Sequence, residues 1–390
     1  MVGTFLHIVA FNIPYPADYG GIIDIYYKIK ALKEKGIQTI LHCFTYGRQP
    51  SKELEELCFK VYYYPRKSGI KYLFSSLPYI VNTRNANTMP DNLLNDSFPV
   101  LFEGLHTTGL LPKCRDARKL TLVRAHNVEH AYYHSLARVE RNPFRKVFFH
   151  IESGKLKRYE KILHHADCIL AISKPETTYF DGKYGNARFI PAFQRYQELS
   201  VLPGSGNYVL FHGNLGVAEN YGILLSFALP VLAGLSHRIV VAGKNPSAGL
   251  ARKLRHYSNI ELVADPSDRE MEELIRNAQV NLVLTRQPTG IKIKLLHCLY
   301  SGRHCLVNPP MVEGSDLGHL CTIAGNRDEL RQHLDRLMAT PLNPDELETR
   351  KKALKDYSSR AGAEKILRLI TQVPDAPSVQ GGPELKKSVQ

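Results

Sequence analysis

The segment Thr289-Gly-Ile-Lys-Ile-Lys-Leu-Leu-His297 carries the residue types best suited to gripping an anion. A glycine turn leads into a helix whose first backbone N–H groups have no intrahelical partner, and such ends favour negative charge. Lys292 and Lys294 place cations in that first turn, where they are unfavourable unless an anion offsets them. The segment suits a phosphate-bearing ligand, with a solvated lysine pair as the other reading. Gly20-Gly21 would let the backbone approach a ligand at another helix start, or form a tight turn. His126 follows an apolar strand, where an imidazole can bond a substrate or move a proton, and Asn127 is a candidate helix cap. Glu129, His130 and His134 read as helix-face residues. Gly213-Asn214 and Gly243-Lys244 would suit a diphosphate, with the Lys244 ammonium reaching the same group. Each loop alone reads as a turn; their recurrence at strand ends favours a shared ligand.

The elements that position these loops follow from the hydrophobic period. Short apolar runs at 5–11, 38–44, 60–64, 100–103, 120–124 and 168–172 read as strands with helical stretches between them. The long charged stretch 143–165 reads as one helix, and Ser173 as the cap of the next. A second series of strands is expected at 208–212, 239–242, 260–263, 280–284 and 304–307, followed by closing helices. This alternation predicts an α/β protein with two facing, doubly wound parallel sheets of Rossmann-like type and a ligand cleft between them. Residues 1–195 and 206–358 are the expected domains, joined by the Pro- and Gly-bearing stretch 194–207. Residues 359–372 are the expected closing helix and 373–390 a disordered tail.

Composition narrows the partners. The chain has 390 residues and a formal charge of +14, which favours a polyanion: nucleic acid, an anionic membrane surface or a phosphorylated substrate. No nucleic-acid-binding motif accompanies the charge, so none is expected as a partner. The seven cysteines form no paired framework and no zinc-ligand spacing, so free thiols in a reducing compartment and no metal site are expected. The start of the chain has no basic leader region, and the apolar run 221–235 is too short to span a bilayer. A cytoplasmic location is expected, with peripheral attachment to the inner face of a membrane as a variant. Segments 66–79 and 138–149 mix cations with aromatics and are the candidate surfaces for it, or else ordinary helices with solvated charges.

Several segments fall in the order found in one family. These are the Pro14/Pro16 loop ending in Gly20-Gly21, the His126-Asn-Val-Glu-His130 segment with a charged helix ending in Tyr159-Glu160, and Ala166–Ser173. Gly213-Asn-Leu with Asn220, the Gly290–Gly302 helix and Val312-Glu-Gly314 complete the series. Over nearly its whole length the chain resembles GT-B nucleotide-sugar glycosyltransferases of family four. That resemblance implies transfer of a hexose from a nucleoside-diphosphate sugar to a hydroxyl acceptor, with retention and without a metal or other cofactor. It implies that His126 meets the transferred sugar, that Gly20 and Gly21 flank the donor phosphates and acceptor, and that Gly213, Asn214, Lys244, Gly290 and Lys294 cradle the diphosphate. A lipid-linked acceptor and a place in surface-polysaccharide or glycolipid assembly are consistent with the basic surface. The chain departs from the pattern where Thr289 and His297 replace two glutamates and Asn214 stands near a usual arginine. His297 can still bond the ribose, but the two-oxygen hold of a carboxylate is lost. A non-catalytic scaffold that keeps this fold is the alternative.

Overall fold

The computed structural model describes residues 4–140, 142–286 and 292–371. Among these, the first sheet contains β1 (Thr4–Ala10), β2 (Ile37–Thr45), β3 (Lys60–Pro65), β4 (Val100–Glu103), β5 (Thr121–Ala125), β6 (Cys168–Ala171) and β7 (Ala187–Phe189). The second contains β8 (Tyr208–His212), β9 (Arg238–Gly243), β10 (Ile260–Ala264), β11 (Val280–Val283), β12 (His304–Val307) and β13 (Thr322–Ile323). All neighbours pair parallel, in the orders β3-β2-β1-β4-β5-β6-β7 and β10-β9-β8-β11-β12-β13. The order reverses between β1 and β4 in one sheet and between β8 and β11 in the other. Those two switch points leave crevices beyond the strand ends where ligands bind.

Both faces of each sheet are covered, so the central strands read as continuous apolar runs. Leu6, Ile8 and Ala10 of β1 enter the core on one face while Val9 enters the core on the other. In β8, Val209 and Phe211 separate in the same way from Tyr208 and Leu210. The alternation is the two-residue period of a strand.

The last described helix, Ser359–Thr371, returns to the first sheet. Its Ala363 and Ile366 join the core that holds Leu6 and Ile8, and Glu364 pairs with Lys35. Gly362 has no room for a side chain: a Cβ there would lie 2.8 Å from the Phe193 ring. The chain thus crosses twice between the halves, at 190–207 and before residue 359.

Most elements lie within a residue or two of their expected bounds. The stretch 143–165 divides into an α-helix, Pro143–Tyr159, and a 3-10 segment, Glu160–His165. At the break the Glu160 carbonyl accepts the Tyr184 hydroxyl at 3.0 Å and its buried carboxylate bonds Tyr179 at 2.8 Å, which fixes that turn from outside the helix. β7 and β13 were not expected; at three and two residues they are too short to show a period. Asn127 does not cap the following helix, Glu129–Val139, whose N-cap is Val128 without a side-chain bond. Residues 289 and 290 and the 373–390 tail lie outside the described residues.

Candidate functional site

In the first lobe the site grows from the ends of β1, β4 and β5. The loop after β1 is held by Arg48, which bonds the Pro16 carbonyl at 2.6 Å and pairs with Asp18. Gly20 and Gly21 open helix Gly20–Glu34, whose first turn carries no acid and no side-chain cap. A Cβ on Gly21 would stand 2.8 Å from the Phe11 ring tip, so glycine here lets Phe11 lie against the helix. That ring is edge-on to His126 at 5.8 Å and lies 5.3 Å from His106. The structure therefore brings Gly21 and His126 together, across Phe11.

His126 is only 5% exposed. Its Nε2 lies 3.1 Å from Glu103 Oε2, and Glu103 Oε1 accepts from Lys28 at 2.6 Å. Lys28 also bonds Asp24 at 2.9 Å, and Arg124 holds the two oxygens of Asp24 at 2.8 and 3.1 Å. Burial alone would raise the Asp24 and Glu103 pKa values, but the cations outweigh it and hold both carboxyls below their usual range. Ionised Glu103 can only accept, so His126 donates to it through Nε2. Nδ1 is buried and has no partner among the described residues. Asp24, Glu103 and His126 bring ligand atoms within 4.8 Å of one another. Lys28 and Arg124 already neutralise that cluster, so its donor set does not suit a cation.

Two more groups border this crevice. Arg84 donates to the Phe11 and Ile80 carbonyls at 2.9 and 2.6 Å, and burial lowers its pKa to about 9. Glu129, expected on a helix face, is buried at the helix start, and burial pushes its carboxyl up to about 7. His130 bonds the Tyr179 hydroxyl at 3.0 Å.

The second lobe assembles its loops through backbone. A Cβ on Gly243 would fall 1.7 Å from the Gly213 carbonyl oxygen, so only glycine allows the two loops to touch. The Lys244 carbonyl then accepts from Leu215 N at 2.8 Å and Gly216 N at 3.3 Å. The Asn214 side chain accepts from Gly216 N at 3.0 Å, and its carbonyl accepts from Asn220 at 3.0 Å. Asn220 in turn accepts from Lys294 Nζ at 2.7 Å. Gly213, Asn214, Lys244 and Lys294 thus belong to one bonded assembly at the β8–β11 switch point, in which Lys244 takes part through its backbone. The Lys244 side chain is exposed and bonds none of the described residues.

Burial lowers the Lys294 pKa, with Glu219 offsetting part of it. Lys292 is lowered by burial to about 8 despite Glu219, with Lys294 adding to the effect. Glu219 is fixed by Thr285 and by Arg286 N at 3.1 Å. His297 packs edge-on against Tyr196 of the interlobe stretch at 5.1 Å. Burial and nearby His212 bring its pKa down to about 3, and its Nε2 is buried without a partner among the described residues.

A cavity of about 240 Å³ lies between the lobes, with Ser173, Glu176 and Pro191 on one side and Lys292, Glu313 and Tyr357 on the other. Burial raises the Glu176 pKa although the Ser173 hydroxyl opposes it. An acid that resists charge and an amine that resists charge therefore face one space.

Asp24, Lys28, Glu103, Arg84 and Glu219 were not singled out in the sequence. Glu103 had a readable signal, a carboxylate closing the apolar strand Val100–Glu103 at its carboxyl edge. Asp24 and Lys28 are four apart on a helix and read as a surface pair unless the helix is known to be enclosed.

No protein-family model matches the chain. It is 26% identical over 333 residues, 80% of this chain and 84% of the other, to an uncharacterized 44.6 kDa protein in the cps region of Klebsiella pneumoniae. Among solved structures it is similar to Anabaena HepE in complex with UDP, with TM-score 0.65 and 10% identity, covering 95% of this chain and 100% of that one. It is also similar to the lipopolysaccharide outer core galactosyltransferase WaaB, with TM-score 0.61 and 10% identity, covering 94% and 99%. With its two parallel sheets, the chain has the GT-B fold.

Proposed function

We propose that this protein is a glycosyltransferase that moves a sugar, a hexose by the sequence resemblance, from a nucleoside-diphosphate donor to a hydroxyl acceptor. The observation that carries the proposal is the bonded chain Lys294–Asn220–Asn214 at the second switch point. It holds a partly desolvated ammonium beside a glycine turn and near the start of helix Ile293–Ser301. In the transfer the bond from the anomeric carbon to the diphosphate breaks and a bond to the acceptor oxygen forms. Negative charge grows on the departing diphosphate, where Lys294, Lys292 and Lys244 would stabilise it without a metal. The acceptor proton passes to the departing phosphate on the same face, which retains the anomeric configuration. His126, through its buried and unpartnered Nδ1, would bond a hydroxyl of the transferred sugar, and Phe11 would shield it from water.

The relative in a cps region and the likeness to a lipopolysaccharide galactosyltransferase support a role in surface-polysaccharide or glycolipid assembly. A lipid-linked acceptor fits that setting. A second reading, a scaffold without transfer activity, is favoured by the half-buried His297 at a donor-helix position, whose pKa burial lowers to about 3. Incubating the protein with a panel of UDP- and GDP-sugars and assaying donor binding and hydrolysis separates the two. Binding and turnover of one donor support transfer; no binding of any by the folded protein supports the scaffold.

A further inference from the structure

We infer that the face built from segment 66–79 and helix Pro143–Tyr159 docks on an anionic lipid bilayer. Phe144 is 84% exposed, Phe74 83% and Ile70 71%, higher than any other large apolar side chain among the described residues, and all three lie on these two segments. Val147 and Ile151 continue the helix stripe at 58% and 52%. Side chains at i, i+3 and i+7 share one helix face, so Phe144, Val147 and Ile151 form a single outward ridge.

The two segments are one surface. Lys155 Nζ bonds the Leu73 carbonyl at 2.7 Å, and Tyr79 N donates to Glu152 at 2.6 Å. The Tyr79 and Phe148 rings meet edge-on at 6.3 Å. Phe148 and Phe149 turn inward against Tyr79 and Tyr133, which leaves the ridge to solvent. Segment 66–79 contains Arg66, Lys67 and Lys71 and no acid. The helix carries Arg145, Lys146, Lys155, Lys157 and Arg158, and its one acid, Glu152, is buried beside Lys155. A groove of about 430 Å³ on the same helix brings Arg138 and Lys146 beside Val147 and Ile151 of the ridge.

Protruding apolar side chains ringed by cations match a bilayer, whose apolar interior lies beneath an anionic surface. A second copy of this face would oppose like charges. A nucleic acid would leave Ile70, Val147 and Ile151 without partners. No described helix is long and apolar enough to cross a membrane, so docking would be peripheral. The inference does not depend on the transferase proposal.

The chain contains no tryptophan, so a single introduced indole reports its own surroundings. Phe144→Trp, with Phe59→Trp as a control, is titrated with vesicles of phosphatidylglycerol and phosphatidylethanolamine and with phosphatidylcholine alone, without nucleotide. Docking predicts a blue-shifted, bromolipid-quenched emission for the indole at 144 on anionic vesicles and little change at 59. In co-sedimentation of the full chain, Phe74→Ser/Phe144→Ser and Lys71→Glu/Arg145→Glu/Lys146→Glu should each lose about tenfold or more in binding. Equal binding to neutral vesicles, retention by both multiple variants, or an unquenched indole at 144 would overturn the inference. So would a shift from dimer to monomer in the Phe74→Ser/Phe144→Ser chain, which would mark a protein interface.

Discussion

The two switch points of this molecule handle charge in opposite ways. Beyond β1 and β4, Asp24 and Glu103 are matched by Arg124 and Lys28, and all four side chains are fully enclosed. Beyond β8 and β11, burial lowers the pKa of Lys292 and Lys294, and Glu219 offsets only part of it. In the first crevice these paired charges form an enclosed floor beneath His126. Under the proposed function, the second is completed by the anionic diphosphate of the donor. A scaffold of one topology thus places a network of paired carboxylates and cations at one switch point and lysines whose charge is disfavoured by burial at the other.

The most disruptive test of the contrast is Arg124→Ala. It leaves Asp24 buried with a missing partner and also removes the donors to the Ile190 and Pro191 carbonyls. A loss of about 3–5 kcal/mol in denaturant unfolding is expected. A loss below about 1 kcal/mol would mean that water replaces the guanidinium and the floor is not rigid.

Glu129→Gln should reveal a smaller, pH-dependent effect. The folded Glu129 carboxyl sits at about 7, above its ordinary 4.5. A raised folded value means that the folded state holds the proton more tightly, so this group's stabilising contribution is complete below the unfolded pKa and lost as pH rises through about 7. The variant should gain on the order of 3 kcal/mol over the parent above that pH, relative to their difference in acid, in unfolding curves across pH. Parallel pH curves would show that Glu129 is solvated.

The second wall has its own titration. Lys292 loses its proton near pH 8, and a diphosphate favours the ammonium form. Nucleoside-diphosphate affinity should decline as pH rises through that value, by up to about tenfold, and Lys292→Met should flatten the profile. An affinity that increases over the same range would place Lys292 away from the ligand. The mildest expected effect is that of Lys244→Ala, about threefold to tenfold on affinity, because its ammonium is exposed.

How much of this could be read from the chain also differs between the walls. Gly213, Asn214 and Lys294 were legible because glycines and cations at strand ends have a local meaning, and the structure bonds them into one assembly. The floor was not legible. Its charges come from positions 24, 28, 103 and 124, and only the parallel sheet and the enclosed helix Gly20–Glu34 bring them together. Strand positions emerged from the apolar runs, whereas β7 and β13 carry too few residues to register. The ridge at Phe144 was visible as mixed aromatics and cations, but only the fold shows which aromatics turn inward.

Calorimetric titration of UDP and GDP into the parent chain and into Lys294→Ala tests the proposed anion-binding wall most directly. One nucleotide should bind the parent, and the variant should bind it about tenfold to a hundredfold more weakly with its unfolding midpoint nearly unchanged. Equal affinities in the two proteins, or no binding of either nucleotide to the folded parent, would contradict the account.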